Sequence, residues 1–489
     1  MKNALRRRTV LGSIVAAPLS AAVLGQTTPA AAAASTIDPR SDWGTWEGWG
    51  TSLCWWGKAH GNRDDLADVF FTRNNVNYQG TTLPGLGLTI ARYNAGACST
   101  QPINGESMVR SPNIGDPRQV DGYWLDWFSS DPSSTSWNWY VDSAQRNMMW
   151  KARDRGVNRI ELFSNSPMWW MCQNHNPSGS ASGGDNLQTW NHQQHAVYLA
   201  TIARYAHDHW GVDFASVEPF NEPDGGWWKA DGSQEGCHFE PATQRPVINA
   251  LRAELNARDL GWMPIAASDC NSYDAALATW NSFDSTTRGN VARINVHGYQ
   301  GGGGRRDLLY AAAKSAGRKI WNSEYGEGDA SGLSLASNLN LDFRWLHPTA
   351  WVYWQVVDGG GWGLIQDNGN NTTGAINPKY YVLAQYTRHI RPGMRILDGG
   401  NGNTIAAYDA AARKLVIVAI NYGAAGYLDF DLSRFAKPST DGAPIPRWST
   451  TPGTTGYQAA QDTTMHGTRF WSWFETNTIQ TFEVPDITL

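Results

Sequence analysis

Cysteine is scarce, charge is sparse and evenly signed, and each shortage removes a class of function. Five cysteines, Cys54, Cys98, Cys172, Cys237 and Cys270, occur in 489 residues. Their odd number leaves at least one thiol unpaired, and the pairing of the others does not follow from sequence. None of them forms a C-x-x-C pair and no H-E-x-x-H helix is present, which argues against a zinc site. No metal and no cofactor is expected. Lys and Arg number 39 against 44 Asp and Glu, a balance of −5, with no long run of either sign. That gives no electrostatic case for nucleic acid or an anionic membrane. The glycine-rich GGGGRR at 301–306 lacks the Gly-Lys-Ser/Thr ending of a phosphate loop and reads as a rim loop. His192, His195, His207 and His209 lie on or near a helical pattern and read as packing or surface residues, not ligands.

The one apolar stretch of length lies at the start. Arg6, Arg7 and Arg8 precede TVLGSIVAAPLSAAVLG (9–25) and an Ala-rich segment ending near Ala34. A basic region, an apolar region and small residues suited to cleavage make a signal peptide over residues 1–34. The paired arginines indicate the twin-arginine route. Pro18 and the Ala/Gly content make this run a poor membrane span. The mature protein is therefore expected outside the cell, with no membrane attachment after cleavage, and as a monomer. What the chain has in quantity is tryptophan: 26, beside 18 Tyr and 14 Phe. Indoles offer flat apolar faces with a polar handle, a surface suited to sugar rings, and several sit beside Gly and Asn in expected loops.

Between about residues 47 and 390, short apolar runs alternate with helical patterns. The runs are EGWGTSL (47–53), GLTIARYN (87–94), RIELFSN (159–165), FASVEPFN (214–221), MPIAASD (263–269), RINVHGY (293–299), KIWNSEY (319–325) and AWVYWQV (350–356). Helical spacing is clearest over 191–210 and 243–260, with Gly211 as a stop for the first. Eight strands alternating with helices predict an α/β fold, a (β/α)8 barrel. After Arg391 the pattern turns to strands: KLVIVAIN (414–421), apolar on both faces, then YLDFDL (427–432), RFWSWF (469–474) and TIQTFEV (478–484). This predicts a barrel over 48–390 and an antiparallel β-sandwich over 391–489. The sandwich carries no obvious acid/base pair and reads as support first, sugar binding second.

Barrel enzymes keep their chemistry at the C-terminal ends of the strands. Those ends supply Arg92, Tyr93 and Asn94; Asn165; Asn221 and Glu222; His297 and Tyr299; Glu324 and Tyr325; and Trp354. Two carboxylates among amides and aromatics suit hydrolysis of a glycosidic bond. One gives a proton to the leaving oxygen and the other attacks the anomeric carbon. Asn-Glu-Pro at 221–223 is a weak signal alone and a stronger one at the end of the fourth strand, with Glu324 ending the seventh. Glu218 shares strand parity with Glu222 and reads as a buried hydrogen-bonded residue.

These segments carry a family resemblance. WEGWGTSLCWW (46–56), LTIARYNAGAC (88–98), FSNSPMWWM (163–171), VEPFNEPDGGWW (217–228), NVHGYQ (295–300) and IWNSEYGEGD (320–329) resemble glycoside hydrolase family 30, a member of the clan whose acid/base ends strand four and whose nucleophile ends strand seven. Within that family the details resemble endo-β-1,6-galactanases. The resemblance implies Glu222 as acid/base and Glu324 as nucleophile, the latter kept ionised by Arg92 and Tyr299. It also implies Asn221 as the partner of the sugar 2-hydroxyl, and a pocket floor from Asn165, Trp169 and Trp170. Trp354 would be the platform under the reacting sugar, with Trp227, Trp228 and Trp362 serving more distant sugars. Asn94, His297 and Tyr325 complete the expected substrate contacts. The β domain is expected to take a strand from residues 35–47, and the partner to be a β-galactan chain. Other family activities (β-1,6-glucanase, xylanase, glucosylceramidase) and a non-catalytic carbohydrate-binding role are the alternatives.

Overall fold

The computed structural model describes residues 34–369 and 371–489; apart from Ala34, the expected signal peptide lies outside the described residues. Each of the eight apolar runs between residues 47 and 356 overlaps one barrel strand: β1 Gly48–Ser52, β2 Ile90–Asn94, β3 Arg159–Phe163, β4 Ser216–Glu218, β5 Ile265–Cys270, β6 Val291–His297, β7 Lys319–Tyr325 and β8 Ala350–Tyr353. Neighbours in sequence are neighbours in space, and β8 pairs with β1 from Ala350 opposite Gly48 to Tyr353 opposite Thr51, closing a parallel barrel. The strands read as near-continuous apolar runs because helices cover the outside and side chains fill the inside. The α-helix His192–Tyr205 buries Leu199, Ile202 and Ala203, runs on through one wider turn and ends at Gly211, whose φ of +61° suits a residue without a side chain. The helix Pro241–Ala257 buries Val247, Leu251 and Leu255. Among the described residues no helix is long and apolar enough to cross a membrane, and the five cysteines are free and buried.

Beyond the last barrel helix, Lys379–Thr387, the chain forms β9 Arg395–Asp398, β10 Thr404–Asp409, β11 Lys414–Asn421, β12 Gly426–Asp431, β13 Pro444–Thr451, β14 Thr455–Thr464, β15 Arg469–Phe474 and β16 Thr478–Val484. Six of these make an antiparallel sheet in the order β9-β10-β11-β16-β13-β14. The second sheet is β12, β15 and the N-terminal strand Ser35–Thr36, which lies parallel to β12 with Ser35 opposite Phe430. β11 shows why its sequence is apolar on both faces. Leu415, Ile417 and Ala419 point into the sandwich with Phe430, Phe470 and Phe482. Val416, Val418 and Ile420 join the barrel's own core, which also takes in Trp46, Trp49 and Tyr386. Hydrogen bonds cross the same seam, from Gln385 Nε2 to Thr450 Oγ1 at 2.8 Å and from Thr481 Oγ1 to the Gln385 carbonyl at 2.8 Å.

A shared core predicts shared unfolding. Ile420→Ala removes three buried carbons at this seam, a change worth about 2–5 kcal/mol. We expect thermal unfolding followed by tryptophan fluorescence and by far-UV circular dichroism to move down together as one transition. A variant whose sandwich signal melts early while the barrel signal stays in place would contradict the shared core.

Candidate active site

A cleft of about 630 Å³ opens over the C-terminal ends of the strands and is lined by Asn221, Glu222, Trp227, Trp228, Gly232, Ser233, Gln234, Asn271, Tyr299, Glu324, Trp354 and Trp362. Glu222 follows β4 with a left-handed φ of +45°, a conformation that costs a non-glycine residue on the order of 1–3 kcal/mol and persists only where surrounding contacts enforce it. The contacts are present: its N–H donates to the Asp269 carbonyl at 2.9 Å, and its carbonyl accepts from Trp228 Nε1 at 2.8 Å. Its carboxylate accepts from Asn271 Nδ2 at 2.6 Å and faces His297 Nδ1 at 3.1 Å. Glu324, near the end of β7, accepts from the Tyr299 hydroxyl at 2.9 Å and from Arg92 Nη1 at 3.4 Å, and lies 3.4 Å from His297 Nδ1. One carboxylate oxygen from each glutamate and a ring nitrogen of His297 lie within 4.8 Å of one another.

Beneath the two glutamates the barrel interior is a charge network. Arg92, fully buried, donates to Glu161 at 2.9 Å, pairs with Asp269 and lies 4.2 Å over the Phe163 ring. Glu161 also pairs with Arg293 and accepts from Ser216 at 2.7 Å and Asn295 at 3.0 Å. Burial alone would drive His297 neutral, but the carboxylates of Glu324 and Asp269 outweigh it and raise its pKa to about 10. It is therefore a cation at neutral pH. Burial, with Asp269 and Glu161 nearby, pushes Glu218 well above the usual carboxyl range, so it stays protonated; among the described residues its only hydrogen bond is from the Phe220 N–H at 3.3 Å. Burial also raises Glu324 to about 7, with the Glu222 charge adding to the rise and His297 and Arg92 opposing it. Arg92 and Tyr299 reach Glu324 as the sequence implies, yet they do not hold it far into the ionised range. Two carboxyls share one dry site, and the charge on Glu222 resists the ionisation of Glu324.

Three carboxylate or imidazole side chains within 4.8 Å could also cage a cation. Here the donor chemistry does not fit one. His297 already carries the positive charge at the centre, with both nitrogens turned toward carboxylates: Nδ1 to Glu222 and Glu324, Nε2 to Asp269 at 3.4 Å.

Of the residues expected to touch substrate, Asn221, Trp227, Trp228, Tyr299, Trp354 and Trp362 line the cleft with both glutamates. Seven others do not. Arg92 and His297 are buried behind the glutamates and act through them. Asn94 is buried, its amide donating to Glu235 at 3.1 Å and accepting from the Asn165 N–H at 3.2 Å. Asn165 itself packs against Cys54, its Nδ2 3.6 Å from Sγ. Trp169 is wholly buried, and Trp170 packs edge-on against Trp124 with its Nε1 on the Trp124 carbonyl; neither forms the cleft floor. Tyr325 sits behind Tyr299, ring to ring at 6.4 Å. A strand end guarantees a place in the loop layer and not exposure to the cleft. The longer loops fold over these positions and bury them.

The reading from sequence missed the end of β5. The same strand-end rule, applied after 263–269, would have reached Asp269 and Asn271. It also missed Glu235, which no local pattern marks. This buried carboxyl, raised to about 7 by burial, accepts from the N–H groups of Val120 at 2.9 Å and Ala97 at 3.3 Å and so ties the loop after β4 to the loop after β2. That tie places Ser233 and Gln234 on the cleft wall.

The coupling of the two glutamates has a measurable sign. Glu222→Gln removes a negative neighbour, so Glu324 should titrate below the value of about 7 that it has in the native chain. Carboxyl-carbon NMR of glutamate-labelled protein checks this. An unchanged or higher midpoint would mean that the two groups do not share the site's charge.

Comparison with known proteins agrees with this geometry. The profile described as O-glycosyl hydrolase family 30 matches residues 33–291. A curated relative, the endo-β-1,6-galactanase of Hypocrea rufa, is 59% identical over 456 residues, covering 93% of this chain and 95% of that protein. Among solved structures, a conserved exported protein from Bacteroides fragilis superposes with a TM-score of 0.74 at 18% identity, over 92% of this chain and all of that one. A family 30 subfamily 8 xylanase from Clostridium acetobutylicum superposes with a TM-score of 0.66 at 20% identity, over 92% and 99% of the two chains. At those identities the structures speak for the fold, and the profile and the relative speak for descent: this chain belongs to glycoside hydrolase family 30.

Proposed function

We propose that this glycoside hydrolase is exported from the cell and cleaves β-1,6-linked galactan chains, such as the side chains of arabinogalactans, by double displacement with retention. The observation that carries the mechanism is the pair Glu222 and Glu324, on the ends of strands four and seven with oxygens within 4.8 Å. Retaining enzymes hold their carboxyls about 5–5.5 Å apart, whereas inverting ones leave roughly 6.5–9.5 Å for a water. The galactan substrate is supported by the 59% identity to an endo-β-1,6-galactanase over almost the whole length of both chains. Export is supported by the arginine-led apolar segment at the start of the sequence.

The roles follow from what each carboxyl faces. Glu324 receives Arg92 and Tyr299 and is met by the His297 cation, so the charge needed by a nucleophile is best supported there. Glu222 faces one amide and shares His297, fewer partners for a charge than Glu324 has, so it takes the acid/base role. In the first step Glu222 passes a proton to the glycosidic oxygen as Glu324 forms its bond to the anomeric carbon. The ester that results has no charge, so Glu222 no longer faces an anionic neighbour. Glu222 can then draw a proton from the incoming water, which takes the place of Glu324 on the sugar. Asn221 lies next to the acid on the cleft wall, and its Oδ1 has no partner among the described residues. It is placed to bond the sugar 2-hydroxyl, with Trp354 as the platform beneath the ring.

Three experiments test this reading. Proton NMR of the first hemiacetal released should show the β anomer; the α anomer would refute retention. Glu222→Ala should lose about 10²–10⁴-fold on the polymer and regain turnover with azide, giving a β-galactosyl azide. Glu324→Ala, if rescued, should give the α product. The opposite pairing of products would reverse the two roles. For substrate, hydrolysis of β-1,6-galactan, β-1,3-galactan, β-1,6-glucan and xylan should be compared on one purified sample. Turnover of xylan or β-1,6-glucan equal to that of β-1,6-galactan would defeat the galactanase assignment and leave the glycosidase in place.

A further inference from the structure

The rim holds a second hollow of about 350 Å³ that shares no lining residue with the catalytic cleft. Loops after β2 and β3 build it. Trp127 and Trp190 form its walls, 37% and 72% exposed, and the buried Trp170 backs it. Leaving two indoles in water is unfavourable unless something covers them, and here they are held out by a stiff support. Trp170 meets Trp127 edge-on at 6.1 Å and is itself anchored on Trp124. Trp190 stands on the tight turn Thr189–Asn191, fixed by Asn191 Nδ2 to Gln188 Oε1 at 2.6 Å and by Gln188 Nε2 to the Cys172 carbonyl at 3.2 Å. The polar edge of the hollow consists of Gln188, Asn191 and the pair His175 and Glu106, 3.4 Å apart.

This is the chemistry of the cleft repeated on a smaller scale: exposed indole faces beside neutral amides, as Trp227 and Trp362 stand beside Gln234 and Asn271. The C–H face of a pyranose stacks on an indole while its hydroxyls bond amides at the edge. Galactose suits this well, because its axial 4-hydroxyl gathers the C3, C4, C5 and C6 hydrogens on one face. Other occupants fit less well. A stable protein partner covers about 800 Å² per side, far more than this hollow offers. A membrane headgroup would want cations, and the hollow's His175 is already matched by Glu106. The hollow is also mechanically linked to the cleft. The loop after β2 donates Val109 N–H to the His175 carbonyl at 2.9 Å at one end, and Ser111 Oγ to the Gly232 carbonyl at 2.6 Å on the cleft wall at the other.

We propose that this hollow, walled by Trp127 and Trp190, is a second saccharide-binding site that holds another stretch or branch of the galactan chain while the cleft cuts. The proposal takes its ligand from the substrate reading above. Two linked sites on one chain raise the local concentration of the second without new contacts at the first, so the advantage should appear on polymers and vanish on short substrates.

The test uses the full chain with Trp190→Ala, Trp190→Phe and the double change Trp127→Ala/Trp190→Ala. Each is measured for kcat/KM on a β-1,6-galactotriose and on polymeric β-1,6-galactan, and for retardation in galactan-containing native gels with Glu324→Gln added to stop turnover. We expect the alanine variants to keep the rate on the trisaccharide and to lose roughly three- to tenfold both in the rate on the polymer and in gel affinity. Trp190→Phe, which keeps a flat face, should retain most of both. Unchanged gel retardation and an unchanged ratio of polymer to trisaccharide rates would overturn the proposal. A parallel fall on both substrates would overturn it too, by making the hollow part of the catalytic cleft. If the native chain failed to hydrolyse either galactan, the substrate reading would fall on its own, and the same ratio and retardation would be read with the polymer it does cleave.

Discussion

Everything at the bottom of the cleft depends on an electrostatic balance inside the barrel. Three cations, Arg92, Arg293 and His297, face five carboxyls, those of Glu161, Glu218, Glu222, Asp269 and Glu324, in a space almost closed to water. Glu218 stays protonated. Four carboxyls then remain for three cations, and a buried net charge is costly. One proton held within this cluster closes the balance, and that is the state the proposed acid and nucleophile require.

The same balance explains why residues that never meet a sugar are indispensable to the arrangement. Arg92 is held by Glu161 and Asp269 and stacked over Phe163, so its remaining nitrogen is fixed on Glu324. His297 lies between the Glu222 and Glu324 carboxyls and Asp269, which fixes their spacing. Asp269 belongs to this layer twice, since its backbone carbonyl also pins the left-handed Glu222. The loops form a second layer. Glu235 ties the loop after β4 across to the loop after β2, and Gly326 lets the loop after β7 approach so closely that an added Cβ would lie 3.2 Å from both Trp354 and Trp362. The aromatic walls are therefore positioned from below and from the side.

The barrel was legible because its strands are buried on both faces and its helices on one, and these leave different periods in the chain. The meeting of Glu222 and Glu324 was legible because a parallel barrel sends every strand's C-terminal end to one face, whatever the loops do. The sandwich strands were legible by alternation, and the apolar back of β11 was a signal in its own right, now accounted for by Val416, Val418 and Ile420 in the barrel core. The cleft's lining was much less so. Asn94, Asn165, Trp169, Trp170 and Tyr325 stand at or near strand ends, and all are covered by loops that run tens of residues before returning. Trp170 instead backs the second hollow.

By itself, then, the sequence determined the fold class, which rests on local period, and nominated the two glutamates by their strand-end positions, both written within a few residues; the family rested on the resemblance of whole segments. Only the tertiary structure decided which aromatics see solvent and which polar groups stand behind the glutamates. Those properties arise from side chains far apart in the chain, such as Glu235 with Val120 or Arg92 with Glu324. Burial and Coulomb energy depend on distance in space, which no spacing along the chain encodes.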